Sequence, residues 1–278
     1  MEKILFIIDS KRIDANAMKF ACYIAKLTRS KLTATFLEYF GEEKRPVMKQ
    51  LYGAAVVETI ISRNLPDNKI NRLNLEENIT LFKEACIKSG VSSSIHRTKV
   101  EPIQELINES RFVDLMILGA SISERGEAVG LPDLVKKLLV ESECPIIIAP
   151  LDFDSIDEIL FAYDGSASSL FAIKQFTYLF PELQDKKAIV LQVNKKGHTD
   201  IERENKIKDL LSPHYSNIGF KVLEGSVDDE LLGFLLGKKK IFLVMGAFGR
   251  SFFSNLLVPS HSELILKSAN LPVFIAHR

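Results

Sequence analysis

Two glycines and a serine near the carboxyl terminus have the spacing of a phosphate-binding loop. Gly246 and Gly249 follow a run of apolar residues, and Ser260 comes just before a helical pattern. Glycine lets a ligand approach the backbone closely, and a serine at a helix start presents its hydroxyl and the following N–H groups to an anion. Arg250, next to the second glycine, can screen phosphate charge. The spacing predicts a site for a phosphate-bearing ligand.

The same residues also have an ordinary structural explanation. Ser260 and Glu263 form the pattern of a capping box, in which each side chain satisfies a backbone N–H of the other residue. Capping alone accounts for the serine, and turns use glycine for the same conformational freedom. Arg250 is by default a surface side chain. The phosphate site therefore depends on the elements that surround it.

The first half of the chain repeats the glycine-loop frame at an offset of 127 residues. Gly119 and Gly246 are separated by this offset, and so are Pro145 and Pro272, each of which opens an apolar run. A strand begins readily at proline because its first residue tolerates a missing N–H. Each copy therefore predicts a buried strand, a loop, a helix and a closing strand.

Each half also opens with an apolar run that stops at an aspartate, at Asp9 and at Asp164. Continuous apolar runs of this length are typical of parallel strands that are covered on both faces. Helical patterns follow over 15–27 and 168–180, and the alternation of strands and helices predicts a parallel α/β sheet. Ligands of such sheets bind at the carboxyl ends of the strands, where Asp164 and Gly246 both fall.

The repeat predicts two domains, residues 1–151 and 152–278, joined by the Asp- and Ser-rich segment 151–157. The first domain carries 28 more residues in its middle than the second. We place this helical insertion at about 40–90, with a helix that ends before Gly90, because glycine supplies a left-handed cap. The insertion can cover the first-half site, form a dimer contact or create an apolar pocket.

The composition indicates a globular protein without a strong electrostatic field. The chain has 278 residues, 46% apolar and 26% charged, and its 36 basic and 36 acidic residues cancel. This balance favours neither nucleic acid nor an anionic membrane as a partner. No stretch approaches the roughly 20 apolar residues of a membrane span, and the apolar run after Met1 is too short for a signal peptide. We expect a cytoplasmic protein.

Several enzyme and metal signatures are missing from the sequence. The three cysteines (Cys22, Cys86 and Cys144) are far apart and predict no disulfide framework, and the five histidines have no metal-ligand spacing. There is no Gly-x-Ser-x-Gly nucleophile elbow and no Gly-x-Gly-x-x-Gly dinucleotide fingerprint. Residues 233–239 fall one residue short of a P-loop. We predict no catalytic residues and no bound metal site.

Taken together, three segments resemble the universal stress protein family: residues 243–277, Glu224-Gly225-Ser226 and Asp164-Gly165-Ser166. The resemblance covers both halves apart from the insertion. It implies two five-stranded parallel-sheet sandwiches of the Rossmann-like, adenine nucleotide alpha hydrolase-like type. It also implies that they pair through their fifth strands as an intrachain pseudo-dimer, and it leaves room for a homodimer.

The resemblance also implies a nucleotide site, because some members of that family bind ATP while others have lost the motif. By this likeness an aspartate and a valine contact the adenosine, and the glycine loop with the following serine holds the phosphates of ATP, which Mg²⁺ would accompany. The corresponding residues of this chain are Asp164, Val193, Gly246, Gly249, Arg250, Ser260 and His261.

The chain departs from the family pattern in both halves. Pro259 stands where the motif has glycine, and proline removes an N–H donor from the phosphate site. In the first half Ile122 replaces the second glycine, Glu38 takes the valine place by spacing, and Asp133 replaces the serine. A carboxylate there repels a phosphate. Only Asp9 matches, so we predict that the first site is inactive.

Three functional hypotheses follow from these residues. The first is a stress protein that binds ATP in its second half without rapid turnover. The second is a stress or signalling protein that binds no nucleotide and acts through protein contacts or a small apolar ligand. The third is an enzyme of the ATP-pyrophosphatase type, but the Ser-Gly-Gly-x-Asp-Ser loop of those enzymes is absent.

Overall fold

The computed structural model describes residues 1–10, 13–37, 43–51, 54–62, 66–98, 102–119, 133–195, 197–247 and 270–276. Its first half contains β1 (Lys3–Asp9), α1 (Ala15–Leu27), β2 (Lys31–Leu37), β3 (Glu43–Leu51), β4 (Ala54–Ser62), α2 (Pro66–Ser89), β5 (Ser93–Thr98), α3 (Pro102–Glu109), β6 (Leu115–Gly119), α4 (Asp133–Glu141) and β7 (Ile146–Ala149). Its second half contains β8 (Glu158–Ala162), α5 (Ala167–Leu179), β9 (Lys187–Asn194), α6 (Glu204–Leu211), β10 (Ile218–Glu224), α7 (Val227–Leu235), β11 (Ile241–Gly246) and β12 (Val273–Ala276).

Ten strands form one continuous sheet in the order β10-β9-β8-β11-β12-β7-β6-β1-β2-β5. Each half contributes five neighbouring parallel strands, and within a half the first strand lies between the second and the fourth. The fifth strands, β7 and β12, pair antiparallel, with Ile148 opposite Val273 and Ile146 opposite Ile275. The prediction of a doubled five-stranded parallel α/β fold is confirmed.

Helices cover both faces of the sheet because the strands are apolar on both sides. In β1, Ile4, Phe6 and Ile8 belong to one core cluster, whereas Leu5 and Ile7 belong to the other, as the alternation of side chains along a strand requires. The first cluster includes residues of α1, α2, α5 and α6, and the second includes residues of α3, α4 and α7.

The two halves share the first of these clusters. The ring of Phe20, from α1, meets the ring of Phe242, from β11, edge to face at 6.3 Å between centroids. Phe153, in the joint between the halves, packs on Phe20 at 5.0 Å and on Tyr23 at 4.8 Å. The joint is thus anchored in the core by a buried aromatic side chain.

The insertion in the first half is partly β structure, which corrects the prediction of a helical insertion. Strands β3 and β4 pair antiparallel as a separate two-stranded sheet, and α2 follows them with 24 residues, against 8 in its counterpart α6. The sequence of β4, Ala-Ala-Val-Val-Glu-Thr-Ile-Ile-Ser, is rich in β-branched residues that favour strands. The predicted end of α2 is confirmed, since Gly90 follows it with φ +69°.

None of the helices in the described part of the chain is long and apolar enough to cross a membrane.

Candidate functional site

An open recess lies at the carboxyl ends of β8, β9 and β11 in the second half. It encloses about 470 Å³ of empty space, counted with its open mouth. The recess brings together three of the predicted site residues, and its lining consists of Ala162, Tyr163, Asp164, Ser169, Leu191, Val193, Val227, Leu231, Met245 and Gly246.

Strand register explains why these side chains meet. Ala162 lies between Leu191 of β9 and Met245 of β11, and side chains at the same level of neighbouring parallel strands point to the same face. Val193, two residues beyond Leu191, points to that face as well. Helix α7 completes this wall with Val227 and Leu231. The wall is therefore apolar, and it suits a flat, weakly polar group.

Asp164 supplies the carboxylate at the mouth of the recess. It follows β8 and is exposed, and its Oδ1 accepts a hydrogen bond from the N–H of Ser166 at 3.0 Å. This contact orients the carboxylate and fits a tight turn after the strand. A carboxylate has about four acceptor positions, so the group can accept a hydroxyl of a ligand in addition to this N–H.

The first turn of α5 lies beside the carboxylate. Ser166 caps the helix, since its hydroxyl oxygen accepts from the N–H of Ser169 at 3.1 Å. The hydroxyl of Ser169 in turn donates to the carbonyl of Ser166 at 3.1 Å. Ser169 was not among the predicted site residues. Its place in the capping pattern Ser-x-x-Ser was the signal that could have located it.

Gly246 has a packing role that the sequence did not reveal. A Cβ atom at this position would lie 2.6 Å from the carbonyl carbon of Ser168 and from the nitrogen of Ser169, and 2.8 Å from the oxygen of Ser168. Only glycine lets β11 approach the backbone of α5 this closely. The glycine is therefore explained by strand–helix packing before any ligand is considered.

Tyr163 forms part of the inner wall. Burial raises the pKa of its hydroxyl, and the nearby carboxylates of Glu202 and Asp164 raise it further, whereas Arg203 acts in the opposite direction. Tyr163 therefore stays neutral at physiological pH, and it adds no charge to the recess.

The predicted phosphate side of the site lies outside the described residues. This applies to Gly249, Arg250, Pro259, Ser260 and His261. The described chain reaches Ala247 after β11 and resumes at Asn270 before β12. Within the described ranges no group of three or more His, Cys, Asp or Glu residues could hold a metal ion.

The first half differs from the second at the corresponding place. Asp9 is buried, unlike Asp164, and β1 pairs with β2 so that Asp9 stands opposite Leu37. Leu37 thus takes the position of Val193, and the assignment of Glu38 to that position was wrong. A shift of one residue moves a side chain to the opposite face of the sheet. Counting residues across a loop cannot detect such a shift. Glu38 and Ile122 lie outside the described residues.

Helix α2 of the insertion is tied to the end of β1. The buried side-chain amide of Asn78 donates to the carbonyl oxygen of Ser10 at 2.9 Å. Asp133, where the pattern has serine, is the first residue of α4. The end of β1 in the first half therefore makes an internal contact with α2, whereas the end of β8 in the second half lines an open recess.

Comparison with known proteins finds similarity to universal stress proteins over the full length of the chain. A universal stress protein of Synechocystis sp. is 20% identical over 291 aligned positions, which cover 98% of this chain and 99% of that protein. A universal stress protein structure from Archaeoglobus fulgidus matches with a TM-score of 0.66 at 14% identity, over 99% of this chain and 96% of that one. No family model matches the chain.

A protein of Pseudomonas aeruginosa PAO1 described as functionally unknown has the same fold. It matches with a TM-score of 0.57 at 17% identity, over 100% of this chain and 92% of its own. Both structural matches extend across both halves, as does the sequence match. The chain is therefore similar in sequence to a universal stress protein over its whole length, and it has the doubled α/β fold of these solved structures.

Proposed function

We propose that the protein is a cytoplasmic stress-response factor that binds ATP in the recess of its second half and does not turn it over rapidly. The recess carries this proposal, because it combines the carboxylate of Asp164 with an apolar wall around Val193 at the carboxyl ends of parallel strands.

In this proposal the three parts of the nucleotide contact different residues. The adenine ring packs between Val193, Leu231 and Met245, where an apolar surface replaces water. A ribose hydroxyl donates to the carboxylate of Asp164. The phosphates, with Mg²⁺, extend toward the part of the sequence that follows Gly246, which contains the remaining predicted ligands, Gly249, Arg250, Ser260 and His261.

The lining of the recess supports binding without catalysis. Its hydroxyl groups belong to Tyr163 and Ser169, and the first stays protonated while the second donates to a backbone carbonyl. No histidine, cysteine or lysine is among the lining residues that the structure describes. A bound nucleotide would therefore meet no paired nucleophile and base on this side.

A second candidate function is the recognition of a small apolar ligand or a protein partner without nucleotide. The predominantly apolar wall favours it, and so does Pro259, which removes an N–H donor from the predicted phosphate site. The two functions differ in what the phosphates contribute to affinity.

Calorimetry of the full chain with ATP and Mg²⁺ tests the proposal. We expect binding at submillimolar ATP, and Asp164→Asn should weaken it about 10- to 100-fold, because a hydrogen bond to a charged group is lost. Asp9→Asn, the matched change in the first half, should leave the affinity unchanged. Folded protein that gives no heat at millimolar ATP would refute nucleotide binding.

The phosphate contribution is tested by comparing ATP with adenosine in Pro259→Gly. Restoring the N–H donor should tighten ATP binding and leave adenosine binding unchanged. Equal affinity for adenosine and ATP in both proteins would show that the predicted phosphate residues contribute nothing to binding, and binding of neither would support the second candidate function.

A further inference from the structure

Two of the three cysteines form a buried thiol pair between helices of the first half. The Sγ atoms of Cys22, on α1, and Cys86, on α2, lie 3.9 Å apart. Both side chains are buried, with 3% and 0% of their surface exposed. Cys144 belongs to the core cluster on the other face of the sheet, and no cysteine follows it in the sequence.

The two helices hold the sulfur atoms in van der Waals contact. A disulfide bond is about 2.0 Å long, so the sulfur atoms must approach by roughly 1.9 Å. The end of α2 is capped by hydrogen bonds from Val91 N–H to the carbonyl of Cys86 (2.9 Å) and from Gly90 N–H to that of Ile87 (3.0 Å).

The position of Cys86 gives small oxidants a route to the pair. Cys86 is three residues before the last residue of α2, and the next residue, Ile87, is 78% exposed. Helix ends open locally at little cost in free energy. We expect brief opening of the last turn of α2 to admit a small oxidant to the two sulfur atoms, which both belong to the first core cluster.

The two thiols differ in acidity. The hydrogen bond from Cys86 lowers the pKa of Cys22, with a smaller contribution from Ser89, while burial opposes both. The contact with Cys22 and burial raise the pKa of Cys86. Cys22 is therefore the first of the two to ionise, and the thiolate is the reactive form.

We propose that Cys22 and Cys86 are an oxidative modification site, which a hydroperoxide converts to an intramolecular disulfide. The Cys22 thiolate attacks a peroxide oxygen, the O–O bond breaks, and the departing oxygen takes a proton and leaves as water or an alcohol. The resulting sulfenic acid at Cys22 is attacked by the sulfur of Cys86, which gives up its proton. The S–O bond breaks and a second molecule of water leaves. Two thiols are oxidised, and one peroxide is reduced.

The disulfide would fasten the insertion to the rest of the first half. The closed loop from Cys22 to Cys86 contains β2, the β3–β4 hairpin and most of α2. Cross-linking a loop of this length removes conformational freedom from the unfolded chain and stabilises the native one. Oxidation would therefore stabilise the part of the protein that distinguishes its two halves.

Thiol counting and peptide mapping of the folded full chain test this proposal. After treatment with one to two equivalents of hydrogen peroxide, we expect loss of two of the three thiols, a mass lower by two hydrogen atoms, and a peptide pair that joins Cys22 to Cys86. Dithiothreitol should reverse all three changes. Retention of three thiols, a bond to Cys144 or a bond between two chains would overturn the proposal.

Alanine variants provide matched controls. Cys144→Ala should form the disulfide as the wild type does, whereas Cys22→Ala and Cys86→Ala should not. The oxidised wild type should unfold at a higher urea concentration than the reduced protein. A lower urea midpoint would show that the bond distorts the native packing, and would contradict the proposed geometry. Mapping of the wild type decides the question even where a variant folds poorly.

Discussion

Replacing Gly246 with alanine should destabilise the protein through a backbone collision. The added Cβ would lie 2.6 Å from two backbone atoms of Ser168 and Ser169, whereas carbon contacts are normally 3.5–4.0 Å. Strand β11 and the first turn of α5 would have to separate by about 1 Å. Backbone atoms cannot rotate away, so we expect a loss of about 1–3 kcal/mol in the free energy of unfolding, as for other overpacked sites.

Urea unfolding followed by circular dichroism measures this loss as a lower midpoint at unchanged slope. Gly233→Ala is the matched control, because Gly233 lies inside α7 with nothing within 4 Å of its added Cβ. That substitution should raise stability by about 1 kcal/mol, the usual gain for alanine over glycine in a helix. If Gly246→Ala were as stable as the wild type, β11 and α5 would not be packed as described, and Gly246 would need a different explanation.

Two further substitutions test the core. Tyr215 is buried, and within the described residues its hydroxyl has no partner at hydrogen-bond distance, although Thr177 is close enough to lower its pKa. Tyr215→Phe should therefore raise stability at neutral pH by at most about 1 kcal/mol. Burial is the larger effect and raises the pKa of Tyr215 to about 12, so the wild type should lose about 3 kcal/mol relative to the phenylalanine variant as the pH rises from 10 through 12. Parallel pH profiles of the two proteins would contradict this role. Phe153→Ala should cost about 3–5 kcal/mol in thermal or urea unfolding, because it leaves a cavity beside Phe20 and Tyr23. A loss below 1 kcal/mol would mean that the joint is not anchored through this ring.

Much of the fold was predictable because repeated spacing constrains it. Helix α1 begins and ends at the predicted residues, since Asp14 before it is a strong cap whose carboxylate accepts from the N–H groups of Asn16 and Ala17. The strand that ends at Gly119 was also found from its apolar run. The β3–β4 hairpin was missed because it has no counterpart in the second half, so the repeat gave no information about it.

Site residues were predictable only where the sequence of a single strand or helix identifies them. Asp164 comes two residues after its strand, and the recess brings it together with Val193, while the predicted adenosine contacts stay a prediction. The apolar wall comes from three elements, and its members look like ordinary core residues until strand register brings them together. Strand register also determines that Leu37, and not Glu38, takes the position of Val193. That register is set by pairing with β1 rather than by the local sequence.

The antiparallel pairing of β7 with β12 makes the strands of the two halves run in opposite directions. Because the strand direction reverses there, the first five strands have their carboxyl ends on one side of the sheet, and the last five have theirs on the opposite side. The recess around Asp164 therefore lies on one side. The chain leaves β2 for the β3–β4 hairpin on the other side. A ligand in the recess therefore does not compete for space with the β3–β4 hairpin, so the first half can carry an insertion without obstructing the recess of the second half.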